Sequence, residues 1–447
     1  MKAGTANLAR GDAAEPLRPA RLPSLSLRGN FAWALGSNVL FAGCQWANLT
    51  VLAKAGDAAL VGRFALALAV TTPLFLLSNL QLRSVQATDT SGGFRFADYL
   101  GLRAATTLLA LLTLPLVVAW AGYRWEVAAV VLIVGVGKAL DALNDVTIGL
   151  AQKHERLDRA ARARILAGVG SLVGLSIMIL CTGDLMWGAA GWAAGHGATV
   201  LLTRRWIGRD VLEQERHDAA VAGEAMRSPL WPRWRMPTLA RLAWLALPLG
   251  VVMMLGSMNA NAPRYFFDPV TQERELGIYA GMAYLMVAGN MVVLALGQAA
   301  LPRLARLYAA GEIRAYVLLL AKLLGLAALG GGVGIALSAT IGGPLLATIY
   351  QPEYAAYPGV LICLSAVAGV EFANSFLGEA MTAAKAFRPQ APLLLTGLLV
   401  TLGTCACLFP TYGMLGAALA SGAGAVTIFC GSALIVGLNV YAARRLS

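Results

Sequence analysis

Three ionisable residues occupy a stretch that is otherwise hydrophobic enough to cross a membrane. Val131–Gln152 (VLIVGVGKALDALNDVTIGLAQ) contains Lys138, Asp141 and Asp145. At 3.6 residues per turn, these side chains and Gln152 fall within roughly 80° of one another on a helix. A charge in the hydrocarbon costs about 2.5–3.5 kcal/mol on insertion scales, so such residues normally face a protein interior or a water-filled cavity. The stripe therefore predicts a helix bundle with a polar interior.

Two interpretations of this stripe remain open. In one, Lys138, Asp141 and Asp145 contact a polar ligand or a coupling ion. In the other, they form an internal ion pair that only orients helix packing, or they reach towards the inner interface.

The composition is that of a membrane protein. Of the 447 residues, 58% are hydrophobic and 13% are charged, whereas soluble domains carry about 25% charge. Twelve apolar stretches are each long enough to cross a hydrocarbon core of roughly 30 Å. They lie near residues 31–53, 59–82, 99–122, 126–150, 163–182, 186–206, 241–260, 276–300, 315–341, 358–382, 390–410 and 413–441. We therefore expect an all-α polytopic membrane protein with twelve transmembrane helices.

The charge distribution predicts the orientation. The net charge is +12, and if the N-terminus is cytoplasmic nearly all Lys and Arg residues fall on the inner side. Such an excess follows the positive-inside rule, so both termini are expected in the cytoplasm. The basic charge then meets anionic lipid headgroups in the bilayer, and no nucleic-acid partner is expected.

The chain divides at one basic loop. We expect a disordered cytoplasmic tail at 1–29, an N-lobe at 30–207 with spans one to six, a linker at 208–240 and a C-lobe at 241–447 with spans seven to twelve. A shift of 233 residues also places Lys138 on Glu371 and Asp141 on Asn374, so each half has a polar fourth helix. Six-span repeats are related by an axis along the membrane normal, which predicts two lobes around a central cavity.

Further polar residues lie within the predicted spans. The substrate-binding candidates are Asn38, Gln45, Asn48, Lys138, Asp141, Asp145, Arg264, Asn290, Glu371 and Asn374. The ion-coupling candidates are Asp141, Asp145, Glu371 and Glu379, because a desolvated carboxylate can exchange a proton or bind sodium. For each amide, interhelical hydrogen bonding of about 0.6 kcal/mol is the favoured alternative. Arg264 is either a contact for an anionic headgroup or an interfacial arginine.

Other features argue against a catalytic site. His196 and Lys322 are best explained by packing and by snorkelling, respectively. The six cysteines lie in apolar runs, and no phosphate-binding loop is present. Neither a metal nor a cofactor is therefore expected. The outer loops are short, which disfavours a membrane enzyme of glycan assembly.

Four stretches resemble a known family: Gly62–Asp89, Pro263–Gly311, Ile349–Tyr357 and Tyr412–Ala420. With them the chain resembles the polysaccharide flippases, the Wzx-like O-antigen and capsule branch of the multidrug/oligosaccharidyl-lipid/polysaccharide (MOP) exporter superfamily. The resemblance covers nearly the whole chain after residue 29. It implies a MATE-like MOP fold in the bacterial inner membrane.

The resemblance implies a flippase rather than an enzyme. Such proteins are thought to move an undecaprenyl-pyrophosphate-linked oligosaccharide to the outer leaflet by alternating access, with H⁺ or Na⁺ as the expected coupling ion. Lys138 and Arg264 would suit the pyrophosphate, whereas Asp141 and Asp145 would repel it unless neutralised. The main alternative is a cation-coupled multidrug exporter of the same superfamily, because these acids would suit cationic drugs.

Overall fold

The computed structural model describes residues 27–89, 93–154, 156–221 and 231–446. Within these residues the chain is helical and has no strand. The predicted tail lies outside them up to residue 26, and the first helix begins at Leu27. The all-α class expected from the composition is confirmed.

The described residues up to Val221 form seven helices. They are α1 (Leu27–Ala55), α2 (Ala58–Asn79), α3 (Leu82–Thr88), α4 (Phe96–Ala121), α5 (Trp125–Lys153), α6 (Leu157–Thr182) and α7 (Leu185–Val221). Local sequence explains several ends. Asp57 caps α2 by accepting a hydrogen bond from the Leu60 amide at 3.0 Å. Gly122 and Gly183 end α4 and α6 with left-handed backbone angles, which glycine adopts without a steric penalty.

Six helices follow: α8 (Met236–Asn261), α9 (Glu273–Ala309), α10 (Ile313–Thr340), α11 (Gly342–Ile349), α12 (Pro358–Ala383) and α13 (Gln390–Leu446). Short 3₁₀ turns occupy Ala262–Phe266 and Pro352–Ala356. The start of the predicted linker is helical, because α7 continues to Val221.

The last helix, α13, folds back on itself. Its backbone leaves helical geometry at Gly413 (φ 53°, ψ −128°). Beyond this point the two arms pack closely, with Gly416 against the Leu408 carbonyl and Gly424 against Thr401. Further from the break, Gly397 lies against Ile428. α13 is therefore an antiparallel helical hairpin of two arms.

The described helices are built to cross a membrane. Eight ranges are long and apolar enough to do so by length and composition, with the α13 hairpin counted once. α1, α5 and α7 lie outside this set, although they are 29, 29 and 37 residues long. The chain is a multi-pass membrane protein, and the number of twelve spans remains a prediction.

Helices pack mainly within α1–α7 and within α8–α13. In the first group α5 contacts α2, α4 and α7, and in the second α12 contacts α9, α10 and α13. The two groups meet where α8 packs against α2 and α4 and where α2 crosses α9. There Gly62 faces the Glu273 carbonyl and Gly277 faces the Ala58 carbonyl, so closely that a β-carbon on either glycine would collide with backbone. Small residues at such crossings let helix backbones approach.

More contacts join the groups at this same end, which we call the closed end. Arg63 forms an ion pair with Glu273 at 2.7 Å. Trp46 Nε1 donates to the Tyr350 hydroxyl at 3.0 Å, and Gln351 Nε2 donates to the Ala53 carbonyl at 2.6 Å. These contacts therefore close the space between the two helix groups at the end that contains the α1–α2 turn.

Candidate functional site

The polar stripe of α5 lies in a charged cluster whose other members come from other helices. Asp145 accepts a hydrogen bond from Arg103 Nη2 of α4 at 3.1 Å. Arg83 Nη1 of α3 lies 3.7 Å from the other oxygen of the same carboxylate. Arg83 Nε also donates to Gln152 Oε1 at 2.9 Å. One aspartate is thus held between two guanidinium groups.

Arg103 belongs to this cluster and was not among the sequence candidates. It is fully buried, and its second contact is a hydrogen bond from Nη1 to Asn79 Oδ1 at the end of α2. It lies seven residues inside α4, where it is easily grouped with the inner-side arginines that set topology. The signal available in the sequence is its place within an apolar run, because a charge there requires a partner.

The middle of α5 faces α7. Asp141 Oδ1 lies 3.6 Å from Nδ1 of His196, which is buried and packs edge-on against Trp192 with ring centres 4.5 Å apart. Lys138 is half-buried and interacts electrostatically with both Asp141 and His196. Within the described part of the chain, Lys138 has no direct hydrogen bond or ion pair.

Arg164 of α6 adds a further positive charge. It interacts electrostatically with Arg83 and with both aspartates. Its guanidinium carbon lies 4.8 Å from the centre of the Phe41 ring, within the range of a cation–π contact. We call the whole set the N-half network: Arg83, Arg103, Lys138, Asp141, Asp145, Arg164 and His196.

The amides of α1 separate into two environments. Asn48 is buried and donates to Gln45 Oε1 at 3.1 Å, as expected for polar groups that bond within a bundle. Asn38 is exposed and lies seven residues before Gln45 on the same helix. The structure therefore brings Gln45 and Asn48 together and leaves Asn38 apart from them.

The C-half candidates surround a cavity of about 470 Å³ between α8, α9, α12 and both arms of α13. Asn290, Glu371 and Asn374 line it. Glu379 instead lines a neighbouring cavity of about 230 Å³, which shares Ser375 with the first. Three of the five candidates in the C-lobe thus face one space.

Two amides in this cavity leave an oxygen unused. Asn374 Nδ2 donates to the Ala425 carbonyl at 3.0 Å, and Asn259 Nδ2 donates to the Leu394 carbonyl at 2.9 Å. The Oδ1 atoms of both residues are buried without a partner. Such buried acceptors normally require a donor or a cation. Asn259 was not among the sequence candidates.

Arg264 belongs neither to the N-half network nor to the lining of the C-half cavity. It is buried in the 3₁₀ turn after α8, where Nη1 donates to Asn261 Oδ1 at 2.7 Å. Its guanidinium carbon is 5.9 Å from the centre of the Tyr284 ring. These contacts hold Arg264 near the closed end.

Comparisons with known proteins agree with this architecture. No family model matches the chain. A capsular polysaccharide biosynthesis protein, CapF of Staphylococcus aureus, is 24% identical over 87% of this chain and 94% of its own length. A multidrug resistance MATE transporter solved in an inward-facing conformation covers 95% of this chain and 97% of its own, with a TM-score of 0.63 and 14% identity. The chain has the fold of the MOP transporter superfamily.

Other solved structures with the MOP fold match over similar lengths. The MATE transporter VcmN of Vibrio cholerae has a TM-score of 0.60 at 14% identity and covers 94% of this chain and 95% of its own. A MOP transporter from Pyrococcus furiosus, described as having a binding pocket of reverse polarity, has a TM-score of 0.59 at 15% identity and covers 92% and 96%. The fold that the sequence resemblance implied is thus confirmed.

Proposed function

We propose that this protein is a flippase of the bacterial inner membrane. Its substrate is an undecaprenyl-pyrophosphate-linked oligosaccharide used to build a surface polysaccharide, such as O-antigen, capsule or exopolysaccharide. The observation that supports this proposal most directly is the excess of positive charge in the N-half network. The network contains two aspartates against four cationic side chains, which are Arg83, Arg103, Lys138 and Arg164.

A diphosphate fits this charge balance. Its phosphates carry at least two negative charges, and the planar guanidinium fork binds phosphate oxygens in pairs. Two arginines already neutralise the Asp145 carboxylate, so this residue repels a diphosphate less than an unpaired aspartate would. Lys138 supplies a further cation with no direct partner in the described residues. The similarity to CapF supports a polysaccharide precursor as the cargo.

We further propose that the C-half cavity binds the coupling ion. Glu371, Asn259 and Asn374 all line this cavity, and the Oδ1 atoms of the two amides are buried without a partner. These oxygens are the ligands that we propose for the ion. Oxygen ligands suit hard cations such as Na⁺, and a carboxylate alone suits a proton. No cofactor is required by this scheme.

We propose that transport proceeds by alternating access, and the closed end supports this proposal. The helix groups are locked together there by Arg63–Glu273 and by the α2–α9 crossing. Outward release requires these contacts to separate while the opposite ends approach. The proposed moving units are the lobes at 30–207 and 241–447, with both termini in the cytoplasm.

A cation-coupled multidrug exporter is the second candidate, because the MATE structures share this fold. The positive excess of the N-half network disfavours cationic drugs, since like charges repel inside a bilayer.

Gene deletion tests the proposal. We expect lipid-linked oligosaccharide to accumulate on the inner leaflet and surface glycan to disappear, and the wild-type gene to reverse both effects. Lys138→Ala should fail to restore export, whereas Lys322→Ala, which removes an exposed lysine of α10, should restore it. Normal surface glycan in the deletion strain, together with increased drug sensitivity, would favour the multidrug alternative.

A further inference from the structure

Asp145 holds two arginines that differ in burial. Arg103 is fully buried, donates to the carboxylate at 3.1 Å and is fixed to Asn79 on its other side. Arg83 approaches only to 3.7 Å, and its side chain remains 28% exposed, as does 29% of Asp145. The Arg103–Asp145 contact is therefore on the buried side of the carboxylate, whereas the Arg83–Asp145 contact is on its accessible side.

The Arg83 contact is the weaker one. A separation of 3.7 Å is longer than a hydrogen bond between a guanidinium and a carboxylate, which lies near 2.7–2.9 Å. The firmer bond of Arg83 is to the neutral Gln152, through Nε at 2.9 Å. The Nη groups of Arg83 therefore keep N–H donors for a better acceptor while Nε bonds to Gln152.

We propose that Asp145 is an internal substitute for the anionic head group of the substrate. The carboxylate pairs with Arg83 while the site is empty, and a diphosphate takes Arg83 from it when the substrate enters. This inference rests on the proposed function and adds two roles to it. Asp145 is the carboxylate that the head group displaces, and Arg83 is the cation that then pairs with the head group.

The physical reason is the cost of unpaired charge. An arginine without a counter-ion is expensive within a membrane, so an empty cationic site needs an internal anion. A carboxylate carries one negative charge and a diphosphate carries more, so Arg83 binds the diphosphate more strongly than it binds Asp145. The same carboxylate re-forms its contact after release, which keeps the affinity low enough for the head group to leave.

Binding of inorganic pyrophosphate, the head group without its lipid, tests the exchange. The full chain is placed in nanodiscs of neutral phosphatidylcholine, and the pyrophosphate dissociation constant is measured by titration calorimetry. We expect Asp145→Asn to bind about tenfold more tightly than wild type, because a competing like charge is removed. We expect Arg83→Gln to bind about tenfold more weakly.

The matched control is Glu126→Gln. Glu126 is also a carboxylate of α5 that pairs with an arginine, Arg124, at 3.5 Å, but it lies at the other end of the helix. Its substitution should leave the dissociation constant unchanged. A second titration with a short polyprenyl diphosphate distinguishes a lipid-linked diphosphate from a free one, because only the lipid-linked substrate gains from its chain.

Equal or weaker pyrophosphate binding by Asp145→Asn overturns the inference and leaves the proposed function intact. If Asp145→Asn does not fold, Arg83→Gln decides the question, because it preserves the buried Arg103–Asp145 pair. Wild-type affinity in Arg83→Gln then overturns the inference. Failure of the wild type and of every variant to bind either diphosphate would instead contradict the proposed function.

Discussion

Replacing Arg103 by methionine should destabilise the protein more than any surface change. Arg103 is fully buried and joins α4 to α2 through Asn79 and to α5 through Asp145. Removing one partner of a buried ion pair costs about 3–5 kcal/mol. We expect the lower end, about 3 kcal/mol, because Asp145 keeps Arg83 and is 29% exposed.

The assay is thermal unfolding of the purified chain in detergent. Arg103→Met should lower the midpoint temperature clearly, and the double variant Arg103→Met/Asp145→Leu should recover part of the loss, since it leaves no buried charge unpaired. The control is Arg124→Met, which breaks an exposed pair with Glu126 that is worth about 0–1 kcal/mol. An Arg103→Met protein as stable as the wild type would refute the assignment of this pair as a buried structural contact.

Three further changes probe the closed end and the C-half cavity. Gly277→Leu should abolish transport and lower the unfolding temperature, because its side chain meets the α2 backbone, whereas Gly343→Leu has open space around it and should be tolerated. Arg63→Glu should raise reagent access to the cavity from the closed end, and Arg63→Glu/Glu273→Arg should reverse this effect if the ion pair holds that end shut. Glu371→Gln should remove the dependence of export on the ion gradient while pyrophosphate binding persists; an unchanged dependence would place the ion elsewhere.

The class of fold was predictable because hydrophobicity is a local property. Runs of apolar residues identify membrane helices one at a time, and charges within them identify polar faces. The α5 stripe was found in this way. The closeness of Asn290, Glu371 and Asn374 was less accessible, because they come from α9 and α12 and face one cavity only after these helices pack.

Arg103 shows why the partners of the charged residues could not be predicted. A single arginine near the start of a span is equally compatible with an interfacial anchor and with a buried ion pair, and only the position of Asp145 on the neighbouring helix separates them.

The sequence by itself determined that this chain lies in a membrane, that it is helical and that charges lie within its helices. Only the tertiary structure decided which charges neutralise one another, which amide oxygens lack partners and which end is shut. The reason is that burial in lipid acts on each residue of a span separately. Pairing instead depends on distances of a few ångströms between helices far apart in the chain.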